Sequence, residues 1–269
     1  MGEVHKLRKS TLRKITVFTL ASTMSMGSVA SVMAQTNHNP SVLSETVSTL
    51  SEEKTNYTYL VGQPGSKHLE YIYESNGITY KVVENASDNF DRVDSVIYQK
   101  DDEGNFVEYA NQTLTVSNGQ VLTLNTEVDG EVSTEVQTLE MPTETISNMS
   151  RASYNGGPVS PWVSDTIKGN TKIKNYTVSG VTAVIIYIAG LSGGVTGGLA
   201  AAAGSIAGKI VDDLIPIVYY KQTYSQRTSA VVPSMVVASK WDTWYYGKKD
   251  YTDYLGYTFD KVYASGYKE

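Results

Sequence analysis

Apolar and polar residues alternate along most of residues 57–140, which is the period of a β-strand that buries one face. Turn signals interrupt the alternation at Asn76-Gly77, residues 100–105, Asn118-Gly119 and Asp129-Gly130. Asn-Gly and Asp-Gly dipeptides are typical of tight β-hairpin turns. The pattern therefore predicts an antiparallel meander over residues 57–140, with separate strands at residues 106–109 and 113–116.

A second pattern begins after Lys174, where thirty-four residues up to Lys209 contain no charged side chain. Residues 181–189 are strongly apolar, and the remainder is mostly Gly, Ala, Ser and Thr. One unbroken helix of this length would measure about 51 Å at 1.5 Å per residue. We therefore expect a helix or a helical hairpin, with its bend at residues 192–194.

Small residues in this segment recur every three or four positions, which places them on one face of a helix. The same stretch holds two GxxxG pairs, a spacing that lets helix backbones approach closely in a membrane. The predicted residues for membrane insertion and helix packing are Gly190, Gly194, Gly197, Gly198, Ala201, Gly204 and Gly208. Two interpretations stay open: a tightly packed hairpin inside a soluble fold, or a segment that is covered after secretion and later enters a bilayer.

The tail, residues 219–269, is rich in tyrosine, tryptophan and lysine, with one strand predicted at residues 231–238 and another formed by residues 257–259 with 261–263. Tyr and Trp favour the headgroup region of a bilayer, and Lys attracts anionic lipid. The predicted membrane-interface residues are Trp241, Trp244, Tyr245, Tyr246, Lys248 and Lys249. The alternative is that the aromatic residues form an ordinary β-sheet core and cross-strand pairs.

The first thirty-four residues have the pattern of a secretory signal peptide. Five Lys or Arg residues precede an uncharged apolar stretch at residues 15–33, and the predicted cleavage lies between Ala34 and Gln35. Residues 35–56 are polar and predict a flexible leader. The sequence therefore predicts a secreted, extracellular protein.

Charge divides the remaining chain into two parts. Residues 35–150 contain five basic and nineteen acidic residues, whereas residues 151–269 contain twelve basic and eight acidic residues. Residues 141–161 are rich in Pro and Gly and predict a linker, in which Arg151 is a candidate processing site.

The expected fold class is α+β: an acidic antiparallel β-meander domain at residues 57–140, then a Gly/Ala-rich helical hairpin and a Tyr/Trp-rich tail with β-structure at residues 162–269. The acidic half and the absence of a dense basic patch disfavour binding to nucleic acid.

The candidate chemistry is sparse. The chain has no cysteine and three histidines, and no hydrolase triad, HExxH motif or phosphate-binding loop is present. We therefore expect no enzyme, no catalytic residue, no metal and no cofactor.

Three stretches resemble the large, unmodified secreted bacteriocins of Gram-positive bacteria, in particular the geobacillin-like family. They are GITYKVVE (77–84), RVDSVIYQKDDEGNFVEY (92–109) and the Gly-rich run at residues 190–208. The resemblance implies killing of related bacteria by membrane disruption, without post-translational rings. It carries over no individual residue roles.

The sequence and this resemblance together predict a secreted antibacterial protein that acts on bacterial membrane lipids through the glycine-spaced segment. Self-association and an immunity protein in the producing cell are the further partners expected. The alternative is a non-toxic surface or matrix protein that self-associates or binds cell-wall material.

Overall fold

The alternating segment forms a seven-stranded antiparallel sheet, here called the N-terminal sheet, in which each strand pairs with the next one along the chain. The structure is a computed structural model, and it describes residues 54–141, 154–190 and 194–269. The strands are β1 (Lys54–Val61), β2 (His68–Ser75), β3 (Ile78–Ala86), β4 (Arg92–Lys100), β5 (Phe106–Ser117), β6 (Val121–Val128) and β7 (Glu131–Thr138).

The three predicted Asn-Gly and Asp-Gly turns are confirmed. Ser75 pairs with Ile78 across Asn76-Gly77, whose φ angles are 53° and 75°. The Asp129-Gly130 and Asn118-Gly119 turns likewise have positive φ at both residues. Asn, Asp and Gly adopt this left-handed region more readily than other residues, which is why these positions reverse the chain.

Two strand boundaries differ from the prediction. Strand β1 begins at Lys54, inside the predicted leader, and residues 35–53 of that leader lie outside the described part of the chain. The two short strands predicted at residues 106–109 and 113–116 are one strand, β5, since neither Gly nor Pro separates them. A register irregularity at Ile97 and Tyr98 of β4 absorbs the extra residue of β5 instead.

The second half of the chain contributes a four-stranded antiparallel sheet, the C-terminal sheet, with strand order β11-β10-β9-β8. Its strands are β8 (Val163–Lys172), β9 (Ile217–Thr228), β10 (Val236–Tyr246) and β11 (Tyr254–Tyr263). The strand predicted at residues 231–238 was placed too early, because residues 231–234 form an exposed loop around Pro233, which cannot donate a ladder hydrogen bond.

Helices α1 (Val178–Ala189) and α2 (Gly197–Asp212) pack against each other, and α1 contacts strands of both sheets. One core cluster contains Leu122 of the N-terminal sheet, Ile186 of α1 and Tyr245 of the C-terminal sheet. The chain on both sides of the predicted linker therefore builds one core, and every described residue belongs to one compact unit, Leu50–Glu269. The fold is antiparallel β-structure with two helices, as expected for an α+β protein.

Candidate functional site: a covered helix pair

The helix pair, defined as α1 and α2, is an insertion between two strands that pair with each other. Strand β8 ends at Lys172 and β9 begins at Ile217, and these two residues lie directly opposite in the sheet. The antiparallel register runs without a shift from this pair to Val163 and Gln226. The chain thus leaves the sheet and returns to it at one point, so the pairing of β8 with β9 does not depend on the helices.

Helix α1 is buried along its whole length. All twelve of its residues are buried, none is charged, and Ile185, Ile186 and Ile188 have no exposed surface. A helix that is apolar on every side belongs in a protein core or in a membrane. Burying each large aliphatic side chain contributes about 1.5–3 kcal/mol, so α1 is costly to expose to water.

The N-terminus of α1 is held by side chains of the N-terminal sheet. The N-cap residue, Thr177, makes no capping hydrogen bond with its own side chain. Instead, the Val178 N–H donates to the Tyr71 hydroxyl at 3.3 Å, and the Ser179 N–H donates to Glu84 Oε2 at 2.9 Å. Two of the N–H groups that a helix leaves without an internal partner are satisfied in this way.

Glu84 is a buried carboxylate beneath the positive end of the α1 dipole. Its side chain has no exposed surface, and Ser95 Oγ donates to Oε1 at 3.4 Å. Burial raises the pKa of Glu84 above its usual range, and hydrogen bonds from Ser179, Thr177 and Ser95 offset only part of that shift. The ionised form is therefore disfavoured in the folded protein, although the helix dipole attracts it.

The C-terminus of α1 is held by the other sheet. The Tyr245 hydroxyl donates to the Ile185 carbonyl at 3.0 Å, and Gln222 Nε2 donates to the Ile188 carbonyl. Gln222 Nε2 also lies 3.0 Å from Thr243 Oγ1 on the neighbouring strand. Each sheet thus holds one end of α1 through buried side chains.

Helix α2 is covered on one side only. Its buried face includes Leu199, Ile206 and Ile210, whereas Ala201, Ser205 and Lys209 are exposed. The Thr196 side chain caps its first turn by accepting a hydrogen bond from the Leu199 N–H at 3.2 Å. Lys209 Nζ donates to the Tyr254 carbonyl at 2.7 Å and ties the last turn to β11.

A loop between β1 and β2, residues 62–66, lies against the backbone of α2. A Cβ atom added at Gly204 would lie 1.9 Å from the Pro64 carbonyl oxygen, and one added at Gly65 would lie 2.4 Å from the Ala200 carbonyl oxygen. At Gly208 the nearest atom would be Pro64 Cγ at 3.6 Å, which is ordinary contact. The close approach of loop and helix therefore requires a glycine at position 204, whereas position 208 has room for a Cβ atom.

The predicted stripe of small residues is helical only in its second half, which corrects the expectation. Gly190 ends α1 with φ 95° and Gly194 lies in the connection with φ 86°, so neither continues a helix. Gly197, Gly198 and Ala201 lie exposed in the first turns of α2, and Gly204 and Gly208 are buried. In this state the buried part of the stripe packs against loop 62–66 and not against α1.

The predicted membrane-interface residues are divided by strand alternation. Trp241 and Tyr245 face the helices and are fully buried, so they cannot contact a membrane in this state. Trp244 and Tyr246 lie half-buried on the opposite face of the sheet, and the adjacent Lys248 and Lys249 are exposed in the turn before β11. These aromatic residues are close together in the sequence, which suggested that they share one surface. In a strand, however, successive side chains point to opposite faces of the sheet.

The predicted cleavage residues Ala34 and Gln35, and the predicted processing site Arg151, lie outside the described residues.

The side chains that hold α1 were missed by sequence reasoning. Glu84 shares a face of β3 with Tyr80 and Val82 and is fully buried. A carboxylate at an inward position of an alternating strand was the signal that could have found it, because such a group needs hydrogen-bond donors. Gln222, at an inward position among the tyrosines of β9, was a second signal of the same kind.

Among the described residues, no helix combines the length and the apolar character needed to cross a membrane. Comparison of the chain with protein-family models, with curated proteins and with solved structures finds no match.

Proposed function

We propose that the protein is a secreted antibacterial protein of the unmodified bacteriocin type, which stores an apolar helix pair between two sheets and releases it into bacterial membranes. The observation that supports this most is the combination of a fully buried, uncharged α1 with its insertion between two directly paired strands. Such a segment can leave its cover without breaking any strand pair of the C-terminal sheet.

A bilayer offers α1 the same apolar surroundings that the core provides. At 1.5 Å per residue, α1 and α2 are about 18 and 24 Å long, shorter than the roughly 30 Å of a hydrocarbon core. Insertion therefore requires the uncharged flanking residues to join the helices, or several copies to associate. Once loop 62–66 no longer covers α2, the small residues at Gly204 and Gly208 become available for close helix contact.

The side chains around α1 define the resting state in this proposal. Tyr71 and Glu84 hold one end, Gln222 and Tyr245 hold the other, and all four must withdraw before α1 moves. Because the ionised form of Glu84 is disfavoured by burial, the covered state carries a cost at neutral pH that favours release. An immunity protein in the producing cell and self-association in the membrane belong to the same proposal.

Growth inhibition and dye release from anionic liposomes by the purified protein test this function. Gly197 is the informative position, because a Cβ atom there meets nothing within 4 Å and Gly197 has an ordinary φ. Gly197→Ile should leave the thermal unfolding midpoint within a few degrees of wild type. It should reduce dye release at least about tenfold, since a branched side chain keeps helices apart. The matched control is Gly197→Ala, which keeps the residue small and should leave dye release close to that of wild type. Absence of both killing and dye release by the wild-type protein would refute the proposal.

The alternative, a non-toxic surface protein that binds cell-wall material, is favoured by a separate observation. A cleft of about 860 Å³ is lined by four tyrosines of the N-terminal sheet, Tyr57, Tyr73, Tyr80 and Tyr109, together with amides and hydroxyls that include Gln112 and Thr126. Aromatic rings combined with a few polar groups are typical of small-molecule sites. Sedimentation with purified cell walls, without any dye release from liposomes, would favour this second function.

A further inference from the structure

The outward face of the C-terminal sheet, directed away from the helix pair, carries a lysine on every strand. Strand alternation places Lys168 of β8, Lys221 of β9, Lys240 of β10 and Lys261 of β11 on this face. The same alternation adds Lys172 of β8 and Arg227 of β9. Asp242 is the carboxylate that the same alternation places among them, and it accepts a hydrogen bond from the Tyr257 hydroxyl. The face is therefore clearly cationic.

The lysines are also arranged so that they repel one another. Lys168 lies directly opposite Lys221, and Lys240 lies directly opposite Lys261. Like charges at directly opposite positions destabilise a sheet. In the part of the chain that the structure describes, none of these four ammonium groups forms a salt bridge with a carboxylate.

In the N-terminal sheet, by contrast, basic side chains form ion pairs with carboxylates. Lys81 lies 2.8 Å from a Glu70 oxygen, and Arg92 lies 2.7 Å from an Asp94 oxygen.

The outward lysines of the C-terminal sheet lie over aromatic rings instead: the Nζ atoms of Lys168, Lys240 and Lys261 lie 5.1, 4.6 and 5.2 Å from the ring centres of Tyr251, Trp162 and Tyr263. An aromatic ring attracts an ammonium group without neutralising it. The face therefore keeps a net positive charge, which an anionic partner can neutralise.

Exposed aromatic rings on the same face distinguish between anionic partners. Tyr254, Tyr257 and Phe259 of β11 are 51%, 37% and 43% exposed, and the Trp244 ring lies 5.4 Å from that of Tyr257. A dissolved polyanion needs only the lysines. Aromatic rings interleaved with lysines match the headgroup region of an anionic bilayer, where a ring can be buried while its polar atoms stay hydrated.

We propose that the outward face of β8–β11 is the surface that docks on an anionic phospholipid bilayer. This inference rests on the proposed function, and it adds the surface and the lipid charge that the first contact requires. Docking through this face holds the end of the sheet at Lys172 and Ile217, where the chain passes to the helices, close to the headgroups. The released helix pair then enters the bilayer beside the sheet.

Vesicle co-sedimentation of the exported protein tests the docking surface. The face variant combines Lys168→Gln, Lys221→Gln, Lys240→Gln and Lys261→Gln. The control variant combines Lys54→Gln, Lys67→Gln, Lys81→Gln and Lys100→Gln, which removes the same charge from the N-terminal sheet and its β1–β2 connection. The probes are vesicles of phosphatidylglycerol with phosphatidylcholine, and vesicles of phosphatidylcholine alone, at physiological salt.

The face variant should bind anionic vesicles on the order of a thousandfold more weakly, since each of the four lysines at a membrane surface contributes about 1 kcal/mol. It should unfold within a few degrees of wild type, because relief of the like-charge pairs offsets the loss of the contacts that three of these lysines make with aromatic rings. The control variant should bind within about threefold of wild type, since charges far from the contact are screened. Equal losses in both variants, or an unchanged face variant, would overturn the docking surface.

Phe259→Ser combined with Tyr257→Ser separates a bilayer from a dissolved phosphate polymer. This variant should bind anionic vesicles roughly tenfold more weakly and should bind polyglycerol phosphate as wild type does. Unchanged vesicle binding would overturn the assignment to a bilayer. Sedimentation and dye release are independent readouts. Binding through this face without dye release contradicts the proposed function alone. Dye release by wild type, together with unchanged vesicle binding by the face variant, contradicts the docking surface alone.

Discussion

The two helices of the uncharged segment are covered in different ways. Helix α1 is enclosed on all sides, and buried side chains of both sheets satisfy backbone groups at its two ends. Helix α2 leaves one side exposed and is covered in part by loop 62–66. Its first turn is capped by the side chain of its own N-cap residue, Thr196. Composition does not reveal this difference, because α1 and the first three turns of α2 come from one stretch without charges.

The comparison indicates which part of the segment needs protection from water. The side chains of α1 are bulky and aliphatic, so nearly all of its surface must be covered. Helix α2 consists largely of Gly and Ala, whose side chains are small or absent. Exposing one side of such a helix therefore brings little apolar surface into contact with water. Helix α1 is therefore enclosed on every side, whereas α2 combines one buried apolar face with a close backbone approach to loop 62–66.

The largest expected effect comes from adding one methyl group to α2 beneath loop 62–66. Gly204→Ala places a Cβ atom against the Pro64 carbonyl and should lower the free energy of unfolding by about 1–3 kcal/mol. Gly208→Ala, one turn further along, finds ordinary contact and should raise it by up to about 1 kcal/mol, because Ala is the better helix former. Urea unfolding of both variants measures the difference, and equal stability would show that the loop does not constrain α2.

A smaller effect, dependent on pH, is expected at the cap of α1. Since the folded pKa of Glu84 is raised, its contribution to stability is fully present below the unfolded pKa and is lost as pH rises through the folded pKa. Glu84→Gln keeps an acceptor for the Ser179 N–H and cannot ionise. The variant should gain stability over wild type as pH rises from about 4, by about 1.4 kcal/mol per unit of pKa difference.

Urea unfolding of wild type and Glu84→Gln between pH 4 and pH 8 measures that gain. A difference that stays constant over this range would contradict a raised pKa. Glu84→Ala is the matched control, because it removes both the charge and the acceptor. It should cost about 1–3 kcal/mol at pH 4, where the wild-type carboxyl is protonated.

Local sequence patterns predicted much of the N-terminal sheet and both helices. The Asn76-Gly77 and Asp129-Gly130 turns have the φ angles that their residues favour, so local chemistry alone fixes these hairpins. The segment without charges predicted helices for a similar reason. Strand β8 was missed because its residues are mostly polar and exposed, and its place in the sheet comes from pairing with β9, which begins forty-five residues after β8 ends.

The candidate site was predicted less well because it depends on contacts between distant parts of the chain. Glu84 meets Ser179 across ninety-five residues, and Tyr245 meets Ile185 across sixty. Helical periodicity placed the glycines on one face, but the positive φ of Gly190 and Gly194 ends that periodicity before α2. Patterns of period 2 or 3.6 describe single elements and do not determine which elements hold one another.

Two engineered disulfides test most directly whether the helix pair must leave its cover. The chain has no other cysteine. Ser95 Oγ and Thr177 Oγ1 lie 3.2 Å apart, so Ser95→Cys with Thr177→Cys would tie the start of α1 to the N-terminal sheet. Ser164 Oγ and Ser225 Oγ lie 2.8 Å apart, so Ser164→Cys with Ser225→Cys would tie β8 to β9.

The measurement is dye release from anionic liposomes by each oxidised variant before and after reduction. We expect the first disulfide to abolish release until it is reduced, because α1 cannot move. We expect the second to leave release unchanged, because the helix pair departs without separating β8 from β9. Full release by the oxidised Ser95→Cys, Thr177→Cys variant would contradict the account.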